Sequence, residues 1–320
     1  MMGRNVGIMR TGWLLAALAL AAPRTATAQT QIKPYMMIVF DTSGSMNWNY
    51  AGSDTSGDGS RDPWGARWCC PGTGTAANPS RLYPCKSAMY RMVAATGDVI
   101  FGLTKFPQYW RPGGRQMDWY LNNQVAGARD VLRYDGECSS ATVTDYRVVP
   151  FGEESANEVL MWMDHREYSA ANTPISATER ELRADGPTPI AWTLDRTREY
   201  FGGVLGADPY WNCRPYRVLL LTDGEDNCAP GNPAGAVTAL RTTARTGGGT
   251  KDVRTCVIGY GSPGLAQLNA MALAGRCFDT TTTAYVPTNE NELAVALFEI
   301  VRGTVLTEIC NNLDDDCDGL

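Results

Sequence analysis

The architecture of this chain follows from residues Tyr35-Met-Met-Ile-Val-Phe-Asp-Thr-Ser-Gly-Ser-Met46. Residues 36–40 are apolar without interruption, which predicts a short strand buried on both faces, as in a parallel sheet. The strand ends in Asp41, followed by the hydroxyls of Thr42, Ser43 and Ser45. Ligands of open α/β sheets bind at the carboxyl ends of strands. Oxygen donors at such a place suit Mg²⁺, Mn²⁺ or Ca²⁺ better than zinc.

Two later stretches bring similar groups to the end of a strand or the start of a helix. Residues 184–194 read Ala-Asp-Gly-Pro-Thr-Pro-Ile-Ala-Trp-Thr-Leu, in which Thr188 precedes a helix with Pro189 in its first turn. Thr188 is also well placed to cap that helix, which is the purely structural alternative. Residues 216–226 are a second apolar strand ending at Asp223, where the structural alternative is a plain Asp-Gly turn.

Taken in order, these three stretches resemble the metal-ion-dependent adhesion site (MIDAS) of von Willebrand factor type A (vWA) domains. The matching patterns are Asp41-x-Ser43-x-Ser45, Gly186-x-Thr188-Pro189 with Leu194, and Thr222-Asp223-Gly224. The resemblance covers roughly residues 33–304. It implies that Ser43, Ser45 and Thr188 are direct metal ligands, with Asp41 and Asp223 acting directly or through water.

The remaining pattern predicts an α/β fold with a doubly wound, mostly parallel sheet flanked by helices, a Rossmann-like arrangement. Two long insertions, 47–80 and 108–138, interrupt it. We expect further strands at 98–103, 142–149 and 253–259, and a short last strand within 277–286. We expect further helices at 84–95, 156–163, 233–245, 265–274 and 289–302.

The amino terminus has the pattern of an export signal. Arg4 and Arg10 precede the apolar run 13–22, and Ala26-Thr27-Ala28 fits a small-x-small cleavage pattern. We therefore expect a signal peptide over 1–28 and no membrane span after its removal. An uncleaved anchor is the alternative. The expected location is the periplasm, the cell surface or the medium.

Composition restricts the possible partners and metals. The chain has 320 residues, 44% of them hydrophobic and 19% charged, with a formal net charge of −6. These are globular values, and the charge argues against nucleic acid as a partner. Ten cysteines after an export signal predict a disulfide framework. A single histidine and the lack of paired cysteines at zinc spacing argue against a zinc site.

The carboxyl-terminal segment 305–320 is acidic and contains two cysteines. Asp314, Asp316 and Asp318, followed by Gly319, match the first half of an EF-hand-type loop and predict a second metal site, for Ca²⁺. The segment also resembles the cysteine-flanked acidic metal-binding motif of secreted proteins of myxobacteria and their relatives. A charged, disordered tail is the structural alternative.

The resemblance implies a binding module, not an enzyme, for adhesion or assembly outside the cytoplasm. A cation held mainly by neutral hydroxyls keeps positive charge and an open position, so it would recruit an acidic group on a protein or glycan. One alternative is a metal-dependent phosphotransferase or hydrolase, although that chemistry is expected to need an aspartate where Ser43 stands. The other alternative is a structural envelope protein with a vestigial metal site.

Overall fold

The computed structural model describes residues 32–52, 79–110, 134–136, 138, 147–165, 182, 184, 186–261 and 264–305. The strands in these ranges are β1 (Tyr35–Phe40), β2 (Ile100–Lys105), β3 (Gln108–Trp110), β4 (Tyr134–Gly136), β5 (Arg147–Val149), β6 (Tyr216–Thr222), β7 (Thr243–Ala244), β8 (Thr250–Lys251) and β9 (Val253–Gly259). The helices are α1 (Leu82–Ala94), α2 (Ser155–Met161), α3 (Ile190–Ala207), α4 (Pro233–Leu240), α5 (Leu265–Gly275) and α6 (Glu290–Arg302). A short 3₁₀ helix spans Gly44–Asn47.

The central sheet has the strand order β5-β2-β1-β6-β9. Strand β1 lies at its centre and pairs in parallel with β2 and β6, and β6 pairs in parallel with β9. Strand β5 is antiparallel and closes one edge. The predicted doubly wound, mostly parallel α/β fold is therefore confirmed, with β1 in the middle as its unbroken apolar run requires.

Strand β1 supplies both hydrophobic cores because alternate side chains point to opposite faces of the sheet. Met36, Ile38 and Phe40 pack into one core with residues from α1, α2 and α6. Met37 and Val39 pack into the other core with residues from α3, α4 and α5. All five are fully buried, and each contributes roughly 1.5–3 kcal/mol by the usual scale for burying a large apolar side chain.

The helices thus form one layer on each face of the sheet, and their sequences show why. Helix α6 begins where the Asn289 side chain accepts a hydrogen bond from the Glu292 amide. It then buries one stripe, with Leu293, Leu297 and Ile300 at helical spacing. Within the described ranges no helix has the length and apolarity needed to cross a bilayer.

The helix predicted over 233–245 is shorter than expected and ends at Leu240. The chain then forms the small β7–β8 hairpin. Its turn contains Gly247, Gly248 and Gly249, all with positive φ angles between 90° and 103°. Such backbone angles favour glycine, and the hairpin that they close includes residues 243–245, which were predicted to end the helix.

The short strand predicted within 277–286 is absent from these described residues. One isolated bridge joins Tyr285 of this segment to Ile258 of β9. A second joins Arg276, the residue before the segment, to Thr255 of β9. The disulfide from Cys277 to Cys256 of β9 fixes the segment to the sheet at one point. The segment is therefore joined to β9 by isolated parallel bridges and one disulfide, without a continuous ladder of hydrogen bonds.

The predicted disulfide framework is confirmed where the structure describes it. Besides the Cys256–Cys277 bond, Cys138 is bonded to Cys228, and Cys213 is also in a disulfide. Cys85 is different: it is a buried free thiol on α1. Its side chain serves as a small apolar group of the core, which is a common role for an unpaired cysteine.

Candidate metal centre at the carboxyl edge of the sheet

The three stretches singled out in the sequence meet at the carboxyl edge of the central sheet. Strands β1 and β6 are parallel neighbours with Phe40 opposite Leu221, so the residues that follow them leave the sheet side by side. The Asp41 amide still donates to the Leu221 carbonyl at 2.9 Å. The loops after β1 and β6 therefore start in contact.

Asp41 organises this edge as a completely buried hydrogen-bond acceptor. One of its carboxylate oxygens accepts from the Ser43 amide at 2.7 Å. The other accepts from the Thr222 hydroxyl at 2.5 Å and, more weakly, from the Asp223 amide at 3.3 Å. The carboxylate thus fixes the loop after β1 and ties it to the end of β6.

The hydroxyls of the first loop face the aspartate of the third. The Ser43 and Ser45 hydroxyl oxygens lie 3.1 Å apart, and the Ser45 hydroxyl donates to Asp223 Oδ1 at 2.7 Å. Two hydroxyls and a carboxylate from distant parts of the chain therefore form one continuous oxygen cluster.

The second stretch joins the cluster through its backbone. Gly186, with a φ angle of 84°, places its carbonyl to accept from the Gly44 amide at 2.9 Å. The amide of Thr188, a residue only 4% exposed, donates to the Asn227 side chain at 2.8 Å. The segment before α3 is thus bonded to both the first and the third loop.

The capping role considered for Thr188 is wrong. Helix α3 starts at Ile190 with Pro189 at its N-cap and no capping hydrogen bond from that residue's side chain. Instead the carboxylate of Asp226 accepts from the Ala191 amide at 2.7 Å. Because an acidic group from the third loop satisfies the helix start, the Thr188 hydroxyl is not needed there.

The electrostatics of the site are those of two buried acids that lie close together. Desolvation, reinforced by the nearby charge of Asp223, raises the pKa of Asp41 to about 7. Desolvation also raises the pKa of Asp223, although hydrogen bonds from Ser45 and Arg81 oppose that rise. Burial therefore disfavours the charged form of both carboxylates in the metal-free protein.

Within the described ranges, Arg81 is the one positively charged side chain that contacts either of the two acids, Asp41 and Asp223. Its Nη1 atom lies 2.6 Å from Asp223 Oδ2, and the two side chains are 5% and 0% exposed. Sequence reasoning missed Arg81, since it stands just before α1 with no motif around it. It also missed Asp226 and Asn227, for which the acidic run after Asp223 was the available signal.

The donor set fits a hard divalent cation. Carboxylate and hydroxyl oxygens are the ligands that Mg²⁺, Mn²⁺ and Ca²⁺ take in proteins. Within the described ranges no group of three or more His, Cys, Asp or Glu side chains is gathered as a metal site. A site built from Asp41 and Asp223 with hydroxyls contains only two such side chains.

A disulfide joins the end of the second insertion to the third loop. Cys138 is bonded to Cys228, five residues after Asp223 in the sequence. A cavity of about 510 Å³ lies there, with Cys138, Cys228, Trp192 and Asp226 in its lining. The disulfide therefore fixes the end of the insertion beside the third loop.

The other predicted metal site, at Asp314, Asp316 and Asp318, lies outside the described residues, as does the predicted signal peptide 1–28. Both stay predictions. Most of the two insertions also falls outside the described ranges.

Comparisons with known proteins give a likeness of fold. No family model and no curated protein matches the chain. Among solved structures, the PilB minor pilin from Streptococcus sanguinis matches with 14% identity and a TM-score of 0.46, over 88% of this chain and 63% of PilB. BatB from Bacteroides thetaiotaomicron matches with 13% identity and a TM-score of 0.43, over 85% of this chain and 98% of BatB.

A third similar structure is proximal thread matrix protein 1 from the mussel byssus, described with a zinc-occupied MIDAS motif. It has 14% identity and a TM-score of 0.40, over 85% of this chain and 48% of the byssus protein. The chain thus spans about half to two thirds of the length of the byssus and pilus proteins. At these values the likeness concerns overall fold and carries no information about function.

Proposed function

We propose that this chain is an exported binding module of the vWA type, which uses a divalent cation at its MIDAS-like cluster to bind a carboxylate of a protein or glycan partner. The observation that carries the proposal is the hydrogen-bonded chain from Ser43 through Ser45 to Asp223. It joins residues 178 positions apart in the sequence at the edge of the sheet where α/β proteins bind ligands.

The residues have separate roles in this proposal. Ser43, Ser45 and Thr188 would hold the ion, and Asp41 and Asp223 would balance its charge directly or through water. Because the protein supplies at most five ligands, a six-coordinate ion keeps an open position for an oxygen from outside. Mg²⁺ is the preferred choice because it commonly keeps several waters in protein sites, and Mn²⁺ and Ca²⁺ share its ligand chemistry.

The partner follows from the same chemistry. A metal ion with an exchangeable water accepts a carboxylate as its next ligand, because hard divalent cations bind carboxylate oxygens. Aspartate or glutamate side chains and uronic or sialic acids all present that group. The insertions 47–80 and 108–138 would select among such partners.

The test uses beads that carry polyglutamate or a polyuronate. The purified chain should be retained in Mg²⁺ and released by EDTA. Ser43→Ala and Asp41→Ala should each reduce retention at least tenfold. The control Ser87→Ala makes the same change on α1, away from the cluster, and should bind as the wild type does. Retention that survives EDTA and both site variants would refute metal-mediated binding.

A further inference from the structure

A buried arginine, Arg81, occupies the proposed metal centre from the side of the first insertion. Its guanidinium donates to Asp223 Oδ2 at 2.6 Å while the Ser45 hydroxyl donates to Oδ1 at 2.7 Å. Both oxygens of Asp223 are therefore engaged in the metal-free protein. Arginine stays protonated in proteins, so this positive charge is permanent.

The surrounding backbone holds Arg81 in this position. Its amide donates to the Trp48 carbonyl at 2.7 Å, and its Nε donates to the Asn49 carbonyl at 3.1 Å. Gly261, with a φ angle of 94°, leaves room for it, since a Cβ there would lie 2.6 Å from Arg81 Nε. The main chain on two sides is thus shaped around the guanidinium.

We propose that Arg81 sets the affinity of the metal centre by competing with the divalent cation for Asp223. This inference rests on the proposed function, because it requires that the cluster binds a cation. An entering ion must share Asp223 with the guanidinium or displace it. Both routes weaken metal binding, because like charges repel strongly where the surroundings are poor in water.

The same charge makes the loaded site a better receptor for an anion. Asp41 and Asp223 together balance a divalent ion, and Arg81 then leaves one positive charge in excess. A partner carboxylate removes that excess. Because coupling between two ligands is reciprocal, the carboxylate must raise the affinity for metal by the same factor as the metal raises the affinity for carboxylate. Arg81 thereby makes metal and partner bind together.

The first experiment measures Mn²⁺ affinity of the purified chain by titration calorimetry. Arg81→Gln removes the charge and should bind Mn²⁺ at least tenfold more tightly than the wild type. Arg81→Lys keeps a positive charge and should stay within about threefold of the wild type, which separates charge from packing. Soluble polyglutamate should raise Mn²⁺ affinity more in the wild type than in Arg81→Gln.

A control variant removes a comparable ion pair elsewhere. Arg214→Gln breaks the buried pair between Arg214 and Asp208, whose atoms lie 2.6 Å apart, near the start of β1. It should leave Mn²⁺ affinity unchanged. If Arg81→Gln does not fold, the wild type gives a second measurement, the NMR signal of the Arg81 Nε–Hε group. Addition of Mg²⁺ should shift this signal, and an unchanged signal at saturation would overturn the inference.

The outcomes separate the two proposals. Wild-type binding that Arg81→Gln leaves equal or weaker overturns the role of Arg81 and leaves the proposed function standing. Binding that appears only in Arg81→Gln supports the competition but contradicts the proposed function of the wild-type chain. If no variant binds Mn²⁺ or Mg²⁺, the metal centre and the inference drawn from it both fail.

Discussion

At the candidate site, Asp223 is the carboxylate that contacts both a neutral hydroxyl and a positively charged guanidinium. Its two oxygens accept hydrogen bonds from a hydroxyl on the loop after β1 and from a guanidinium at the start of α1. The motif around Asp223 was visible in the sequence, as was the Asp41-x-Ser43-x-Ser45 pattern, because each depends on a few consecutive residues after an apolar strand. The pairing between Asp223 and Arg81 was not visible in the sequence, since the two residues are 142 positions apart.

The buried ion pair gives a stability prediction in metal-free buffer. Asp223→Asn should lower the free energy of unfolding by roughly 3–5 kcal/mol, the usual result of leaving a buried charge without its partner. Urea denaturation in EDTA measures this loss. The double variant Asp223→Asn with Arg81→Gln should recover part of the stability, because no buried charge then remains unpaired. Strictly additive losses would contradict a direct pairing.

At the scale of elements, the start of α3 shows how tertiary contacts override local signals. The sequence places Thr188 and Pro189 where a cap belongs, and the expectation of a helix there was right. The capping group nevertheless comes from Asp226 in the loop after β6, which no local pattern could reveal. The same limit applies to α4, which ends at Leu240 because the chain continues into the β7–β8 hairpin.

Helix α3 therefore provides a contrast between two substitutions. Asp226→Ala should cost about 1 kcal/mol of stability, the typical value for losing a side-chain cap. Thr188→Ala should cost less in EDTA while weakening Mg²⁺ binding. Thermal or urea unfolding in EDTA, with calorimetry for the ion, checks both. A larger stability loss for Thr188→Ala than for Asp226→Ala would mean that Thr188 supports the helix after all.

Helix α6 gives a second prediction at this scale. The Asn289 side chain accepts from the Glu292 amide at 3.0 Å, so Asn289→Ala should cost about 1 kcal/mol. The exposed Asn291, two residues later, provides the matched control. Asn291→Ala should change the free energy of unfolding by less than about 0.5 kcal/mol. Equal effects of the two substitutions, measured by urea denaturation, would argue against the cap.

Across the whole molecule, β1 connects two distinct ends of the sheet. Its carboxyl end leads into the oxygen cluster, and its amino end lies beside a buried polar group in which Asp208 accepts from Arg214 at 2.6 Å and from the Tyr216 hydroxyl. The sheet, its two helix layers and the central place of β1 were predictable because hydrophobic runs and periodicities determine them. The polar groups at either end could not be predicted, because only the three-dimensional path of the chain brings their residues together.

The Asp208 group predicts a pH dependence of stability. Burial alone would raise the pKa of Asp208, but hydrogen bonds from Arg214 and Tyr216 outweigh burial and lower it below its usual value of 3.8. The unfolded chain therefore takes up the proton at higher pH than the folded chain. The stabilisation is fully present above the ordinary aspartate pKa and is lost as the pH falls through the lowered value.

The test compares Asp208→Asn with the wild type in thermal unfolding from pH 7 down to pH 3. The variant should be less stable at pH 7, and the difference in Tm should narrow towards pH 3 as the wild type loses its charged aspartate. Glu153→Gln, at a side chain 73% exposed, serves as the control and should follow the wild type. A difference that stays constant with pH would contradict this role of Asp208.

The central claim is that three separated loops build one cation site, and a crystal soaked in Mn²⁺ tests it most directly. We expect a single anomalous-scattering peak bonded to the hydroxyls of Ser43, Ser45 and Thr188, with a water or an outside carboxylate completing the coordination. The same soak of Ser43→Ala should show no peak there. An empty cluster in the wild type at saturating Mn²⁺, or a peak that contacts none of these hydroxyls, would contradict the account.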